Sequence, residues 1–187
     1  MSAPGPADTF VVTFQPGFEA LAERDLGSAR ALETLEPGVW RVRGALGDTI
    51  ALRHVHPVAV DTSVDDLAGL VAALAPLAPQ PGLSWAVQTR LLGDGHALGL
   101  KAHAINDALA ASHPGAHYDR KAPAQVLSVT LGGQRVLAGL SRTTDNLSAW
   151  PGGARRFANG ADATSRAAHK LEEALEVFAL APRGRAL

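Results

Sequence analysis

Three prolines and a glycine fall within seven residues at Pro76-Leu77-Ala78-Pro79-Gln80-Pro81-Gly82. Proline has a fixed φ and no N–H, so neither a helix nor an inner strand can run through such a stretch. The chain must therefore be built as two segments, one on each side of it. Both sides carry alternating strand and helix patterns, which defines the search for a fold.

On the N-terminal side, Thr9-Phe10-Val11-Val12-Thr13-Phe14 is short, β-branched and aromatic, as a buried strand should be. Gln15-Pro16-Gly17 ends it. Phe18, Leu21, Ala22 and Leu26 then recur along one helical face, and Gly27 stops the helix. Ala31–Leu35 and Val39–Arg43 flank Glu36-Pro37-Gly38 and predict a hairpin. A short helix is predicted over 46–52. His54 to Val60 predicts one more strand, which Pro57 places at a sheet edge. The order over 9–62 is βαββαβ, a ferredoxin-like arrangement.

Ser63 is the expected cap of a helix whose stripe is Val64, Leu67, Leu70, Val71 and Leu74. This helix and the proline stretch, 63–82, connect to a second, small α/β unit over 83–141. Ser84–Arg90 alternates as a strand, and Leu98, Ala102, Ile105 and Leu109 trace a helical face over 98–112. Val126–Leu131 and Arg135–Leu140 flank Gly132-Gly133-Gln134, a hairpin by its turn chemistry. Residues 142–163 are a polar, basic, Gly-rich linker. A last helix is predicted over about 164–178, capped by Thr164 or Ser165. The fold class is α+β.

Charge divides along the same line. Residues 1–79 hold 5 Lys/Arg against 10 Asp/Glu, and residues 80–187 hold 12 against 8. Between 135 and 170 the count is 6 basic against 2 acidic. A basic module attracts a polyanion, of which RNA is the obvious one. Arg142, Arg155 and Arg156 offer forked donors for phosphate oxygens, and Trp150 and Phe157 offer faces on which a base can stack. The alternative is a linker pinned by its aromatic residues with its arginines in water.

Other chemistries find little support. Zero cysteines remove thiolate zinc sites, thiol nucleophiles and disulfides together. Of the seven histidines, His54 and His56 sit two apart on a strand, and Pro114-Gly115 breaks the register between His113 and His117, so no metal is expected. No GxGxxG, GxxxxGK[ST] or GxSxG pattern occurs. No apolar run reaches the ~18 residues of a membrane span, and the N-terminus has no signal-peptide pattern, so a cytoplasmic location is the expectation.

The predicted C-terminal helix opens with Ser165-Arg166-Ala167-Ala168-His169-Lys170-Leu171. This segment resembles the "SRAAxKL" opening of FtsJ-like ribosomal RNA ribose 2′-O-methyltransferases. Asn146-Leu147-Ser148, Trp150-Pro151-Gly152-Gly153 and Arg155-Arg156-Phe157 are similar to the linker of the larger members of that family. Gln15-Pro16-Gly17-Phe18-Glu19 resembles the start of the first helix of their ferredoxin-like unit, and 84–141 resembles a small THUMP RNA-binding unit in its order of elements.

The resemblance implies the RNA-recognition portion of an S-adenosylmethionine-dependent enzyme. Ribosomal or other structured RNA is the implied partner, contacted by Arg142, Trp150, Arg155, Arg156 and Arg166. Lys170 matches the first lysine of the family's Lys-Asp-Lys-Glu catalytic set. His169 departs from the aromatic or hydrophobic residue usual beside it. The rest of the set and the family's Asp-Leu-Gly-x-x-Pro-Gly-Gly cofactor motif fall beyond Leu187, so 164–187 reads as the start of a truncated methyltransferase domain. The chain is expected to be inactive alone, with the methyltransferase domain supplied by a missing C-terminal part. The other reading is a stand-alone, non-enzymatic RNA-binding module.

Overall fold

A computed structural model describes residues 8–96, 98–148 and 150. The first sheet is organised around β1 (Thr9–Phe14), the strand with the strongest β composition. β1 is antiparallel to β3 (Val39–Arg43) on one side and β4 (Leu52–Pro57) on the other. β2 (Arg30–Glu36) pairs with β3 through the Pro37-Gly38 turn, giving the order β2-β3-β1-β4. β3 thus lies between β1 and β2, the split βαβ arrangement. β4 is an edge, as Pro57 requires.

α1 (Glu19–Asp25) covers one face of this sheet. Ala22 and Leu26 join Val12, Phe14, Trp40, Val42, Leu52 and Val55 in a core. Phe18 and Leu21 were expected on that stripe but are about half exposed. Phe18 is only the N-cap of a seven-residue helix, and Leu21 lies one position off the Ala22–Leu26 line.

The helix expected over 46–52 does not form. Asp25, buried at the end of α1, accepts the N–H groups of Ile50, Ala51 and Leu52 on one carboxylate oxygen, at 2.6, 2.5 and 3.0 Å. Gly47 also donates to the Asp25 carbonyl at 3.2 Å. The donors a helix would use are held by a side chain instead. Gly27 makes room for this: its φ is 61°, and a Cβ there would lie 2.9 Å from the Gly47 nitrogen.

The single strand expected from His54 to Val60 is two strands in two sheets. Pro57 has no N–H to give, Val58 donates to Thr9 of β1, and Ala59 already donates to Ala138 of a different sheet. The chain changes partners between 58 and 59. β5 (Val60–Ser63) is consequently the edge of the second sheet. Ser63 ends that strand, so the cap of α2 (Leu67–Leu74) is Asp66, whose carboxylate accepts the Gly69 N–H at 2.7 Å.

The second sheet has the order β5-β8-β7-β6, with β6 (Trp85–His96), β7 (Gln125–Gly133) and β8 (Arg135–Arg142). β6 and β7 are parallel and joined across α3 (Ala102–Ala111); β7 and β8 form the expected hairpin around Gly133-Gln134, with Gly133 at φ 57°. β6 is longer, and α3 shorter, than their sequence patterns predict. Leu70, Leu74, Trp85, Ile105, Leu109, Leu127 and Leu131 fill the core between this sheet and α2 and α3.

The other face of the second sheet meets the first. Val11, Val39 and Leu137 form a small apolar cluster between them. At Gly139 a Cβ would overlap the Pro57 carbonyl. The described residues thus make one compact α+β unit of two sheets and three α-helices. The expected helix over 164–178, residue 149 and the linker from 151 onward lie outside the described residues. The linker's first residues form a 3-10 turn, Thr143–Asn146, with Asn146 buried.

Candidate nucleic-acid interface

The hairpin and the parallel crossover together bring several basic residues to one end of the second sheet. Arg142, the last residue of β8, lies opposite Gln125, the first of β7. Because β6 is parallel to β7, its start at Trp85 lies at the same end. The chain between α3 and β7 is laid against that end: Trp85 donates to the His117 carbonyl at 2.9 Å, and Asp119 donates to the Trp85 carbonyl at 2.8 Å.

Asp119 then builds a turn. Its carboxylate accepts the N–H groups of Lys121 (2.8 Å) and Ala122 (3.2 Å), and these bonds hold it below the usual carboxylate range. The turn presents Arg120 and Lys121 to solvent. Ser84 fixes the next residues, donating to the Ala122 carbonyl and accepting from the Ala124 N–H. Thr143, beside Arg142, bonds to the Ala124 and Pro123 carbonyls. Arg142, Arg120 and Lys121 are therefore carried on one hydrogen-bonded rim.

Their charges are not equally available. Arg120 pairs with Asp107 of α3 and lies over the Tyr118 ring, 5.6 Å from its centroid. Lys121 and Arg142 are exposed and have no ion pair among the described residues. Beside them runs a groove between the proline strap 78–83 and the turn 113–117, lined mostly by apolar atoms and by His113 and His117. Gln80 and Gln125 tie the strap to β7 by two hydrogen bonds, 3.0 and 3.2 Å. The His113 and Trp85 rings pack in a T-shape, with centroids 5.3 Å apart.

Of the sequence-assigned residues, Arg142 is on this rim and Trp150 is exposed eight residues further along the chain. Arg155, Arg156, Arg166 and Lys170 lie outside the described residues. Lys101 would complete a basic set with Arg120 and Lys121 by sequence, but it starts α3 at the opposite end of the sheet. The groove escaped sequence reasoning, since its walls come from stretches read only as breakers. Arg135 lies within the basic stretch of the sequence, but its guanidinium is taken up by Asp61 (2.9 Å, twice) and Glu33 (2.8 and 2.9 Å). The Asp61 bonds first, then those to Glu33, raise its pKa further. Arg90 is likewise bound to Glu36 at 2.8 Å.

The histidine pair of β4 faces inward between the sheets. His56 bonds to Thr130 of β7 and to the Pro57 carbonyl, both at 3.0 Å. Burial pushes its pKa down to about 4. Burial, then His56 and Arg90, push His54 down to about 3. Both rings are neutral near pH 7. Among the described residues no cluster of three or more His, Asp or Glu is placed to hold a metal ion.

Of the three α-helices among the described residues, α2 alone has a side-chain cap, Asp66; α1 and α3 start at Phe18 and Lys101 without one.

No family model and no curated protein matches the sequence. Solved structures match the fold. TrmN from Thermus thermophilus is 19% identical with a TM-score of 0.53, the match covering 74% of this chain and 47% of TrmN. A possible methylase from Clostridium difficile 630 is 11% identical at 0.54, covering 74% of this chain and 42% of that one. PH1313 from Pyrococcus horikoshii Ot3 is 9% identical at 0.51, covering 72% and 54%. This chain spans about half the length of these structures, and at such identities the likeness is one of fold. Among the described residues no helix is long and apolar enough to cross a membrane.

Proposed function

We propose that this chain is the RNA-recognition part of an S-adenosylmethionine-dependent RNA methyltransferase. The observation that carries the reading is the rim of Arg142, Lys121 and Arg120. It stands where the chain leaves the second sheet toward Trp150, Arg155 and Arg156. Cations on a fixed support supply the phosphate contacts that dominate affinity for nucleic acid. The fold shared with a possible methylase supports the class of enzyme. The Ser165–Leu171 segment supports ribose 2′-O chemistry of the FtsJ-like kind on ribosomal RNA, with Lys170 as the base. We assign the cofactor site to a separate methyltransferase domain.

Binding of structured RNA as a function of salt tests the interface. Lys121→Ala with Arg142→Ala should weaken binding across sequences and flatten the log–log salt slope by roughly 1–2 units. Arg155→Ala with Arg156→Ala should act similarly. Unchanged affinity and slope in both double variants would sink the assignment. Lys170 is tested in a protein carrying the methyltransferase domain. Lys170→Ala and Lys170→Arg should both abolish methyl transfer while sparing RNA binding, because a guanidinium does not release its proton near neutral pH. An active Lys170→Arg enzyme would make the helix a surface element only.

One observation favours a stand-alone binding module instead: the described residues form a single unit with its own cores. A methyltransferase domain added in trans separates the two readings. It should restore methyl transfer under the first and do nothing under the second.

A further inference from the structure

Between the two sheets lies a small cavity. Its walls are Thr13, His54 and His56 from the first sheet and Gln88, Arg90, Ser128, Val129 and Thr130 from the second. Strand pairing explains the first wall. Thr13 is opposite His54 and Val11 is opposite His56, so all four side chains share the face turned toward the second sheet. Most of the polar atoms in this wall have assigned bonds: His56 to Thr130, Arg90 to Glu36. Two do not. His54 Nε2 and Ser128 Oγ have no protein partner, although their residues are only 3% and 2% exposed.

They come from opposite sheets, β4 and β7, and line the same space. Leaving both unpaired in a low-dielectric interior costs more than immobilising one water. A neutral imidazole nitrogen can donate or accept according to tautomer, and a hydroxyl does both, so one molecule with two donors and two acceptors satisfies the pair. The space is about that of a single water, and the two unpartnered atoms give it polar contacts.

We propose that a single buried water molecule bridges His54 Nε2 to Ser128 Oγ and so hydrogen-bonds the first sheet to the second. The site takes water rather than a larger ligand, because the space holds nothing bigger. Its role is to fix the mutual setting of β4 and β7 beside the direct His56–Thr130 bond.

Crystals of the full chain that resolve ordered waters test this directly. One isolated peak is expected at hydrogen-bonding distance from both atoms. An empty cavity, or a direct His54–Ser128 bond, would overturn the proposal. In solution, the His54 ring protons should show cross-relaxation with a long-lived water, and Ser128→Ala should abolish or strongly weaken it. Cross-relaxation that survives unchanged in folded Ser128→Ala removes Ser128 from the bridge and overturns the proposal as stated.

Discussion

Asp25 decides more of the structure than its place at the end of a short helix suggests. One buried carboxylate oxygen organises three successive N–H groups, those of Ile50, Ala51 and Leu52. Hydrogen bonds to a charged acceptor are each worth about 1.5–3 kcal/mol, and the donors left behind would be partly buried. Asp25→Ala should therefore destabilise the protein by roughly 3 kcal/mol in urea titrations, well above the ~1 kcal/mol typical of a point substitution. Asp25→Asn, which keeps an acceptor oxygen, should cost clearly less. Local pattern could not reveal this role, because the partners lie 25 to 27 residues away. The same holds for Arg135, whose partners Asp61 and Glu33 are 74 and 102 residues distant. Counting basic residues credited Arg135 with a charge that folding spends internally, whereas Arg142 and Lys121 keep theirs.

At the scale of elements, local turn chemistry was a reliable guide. The β2–β3 and β7–β8 hairpins form where Pro37-Gly38 and Gly133-Gln134 predict them, and α2 and α3 bury the stripes their periodicity marks. One missed event is the transfer of the chain from β4 to β5, since it depends on β8, which comes some eighty residues later. Gly139 is what admits it: the Pro57 carbonyl sits where a Cβ would go. Gly139→Ala should force the two strands apart and destabilise by about 1–3 kcal/mol, the usual cost of an overpacked contact. Gly82→Ala, a control at a glycine with open space around it, tests the strain of a positive φ without any such overlap. A Gly139→Ala protein as stable as wild type would show that the sheets can separate without cost. The candidate interface was half legible for the same reason. Arg142 stood out in a basic stretch, but the groove wall at 113–117 reached its place only through the Trp85 and Asp119 backbone bonds.

For the whole molecule, the joint between the sheets sets the response to acid. His54 and His56 are neutral when folded, with pKa values pushed down to about 3 and about 4, while an unfolded histidine titrates near 6.5. Arg90 opposes an added charge on His54, its own guanidinium being held by Glu36. As pH falls below about 6.5 the unfolded chain takes up protons that the folded chain refuses, so stability is full above that pH and is lost toward pH 4. Two such groups give a limiting slope of about 2.7 kcal/mol per pH unit. Urea midpoints measured between pH 7 and pH 4.5 should fall accordingly, and His54→Leu should remove about half of the dependence. A flat profile would mean that both rings titrate normally and are not buried in solution.

β5 reaches the second sheet before α2 has begun, so the two sheets are interlaced along the chain rather than strung one after the other. A cut at residue 62 or 63, where a division by sequence pattern falls, would strip the second sheet of its outer strand. The N–H and C=O groups of β8 that β5 covers would then lie open as a template for adding another chain edge to edge. Fragments made for expression, and recombination events that shuffle this unit between proteins, are therefore constrained to break before Val58. A piece beginning at Val64 would be prone to self-association although every residue of the nucleic-acid rim is present in it.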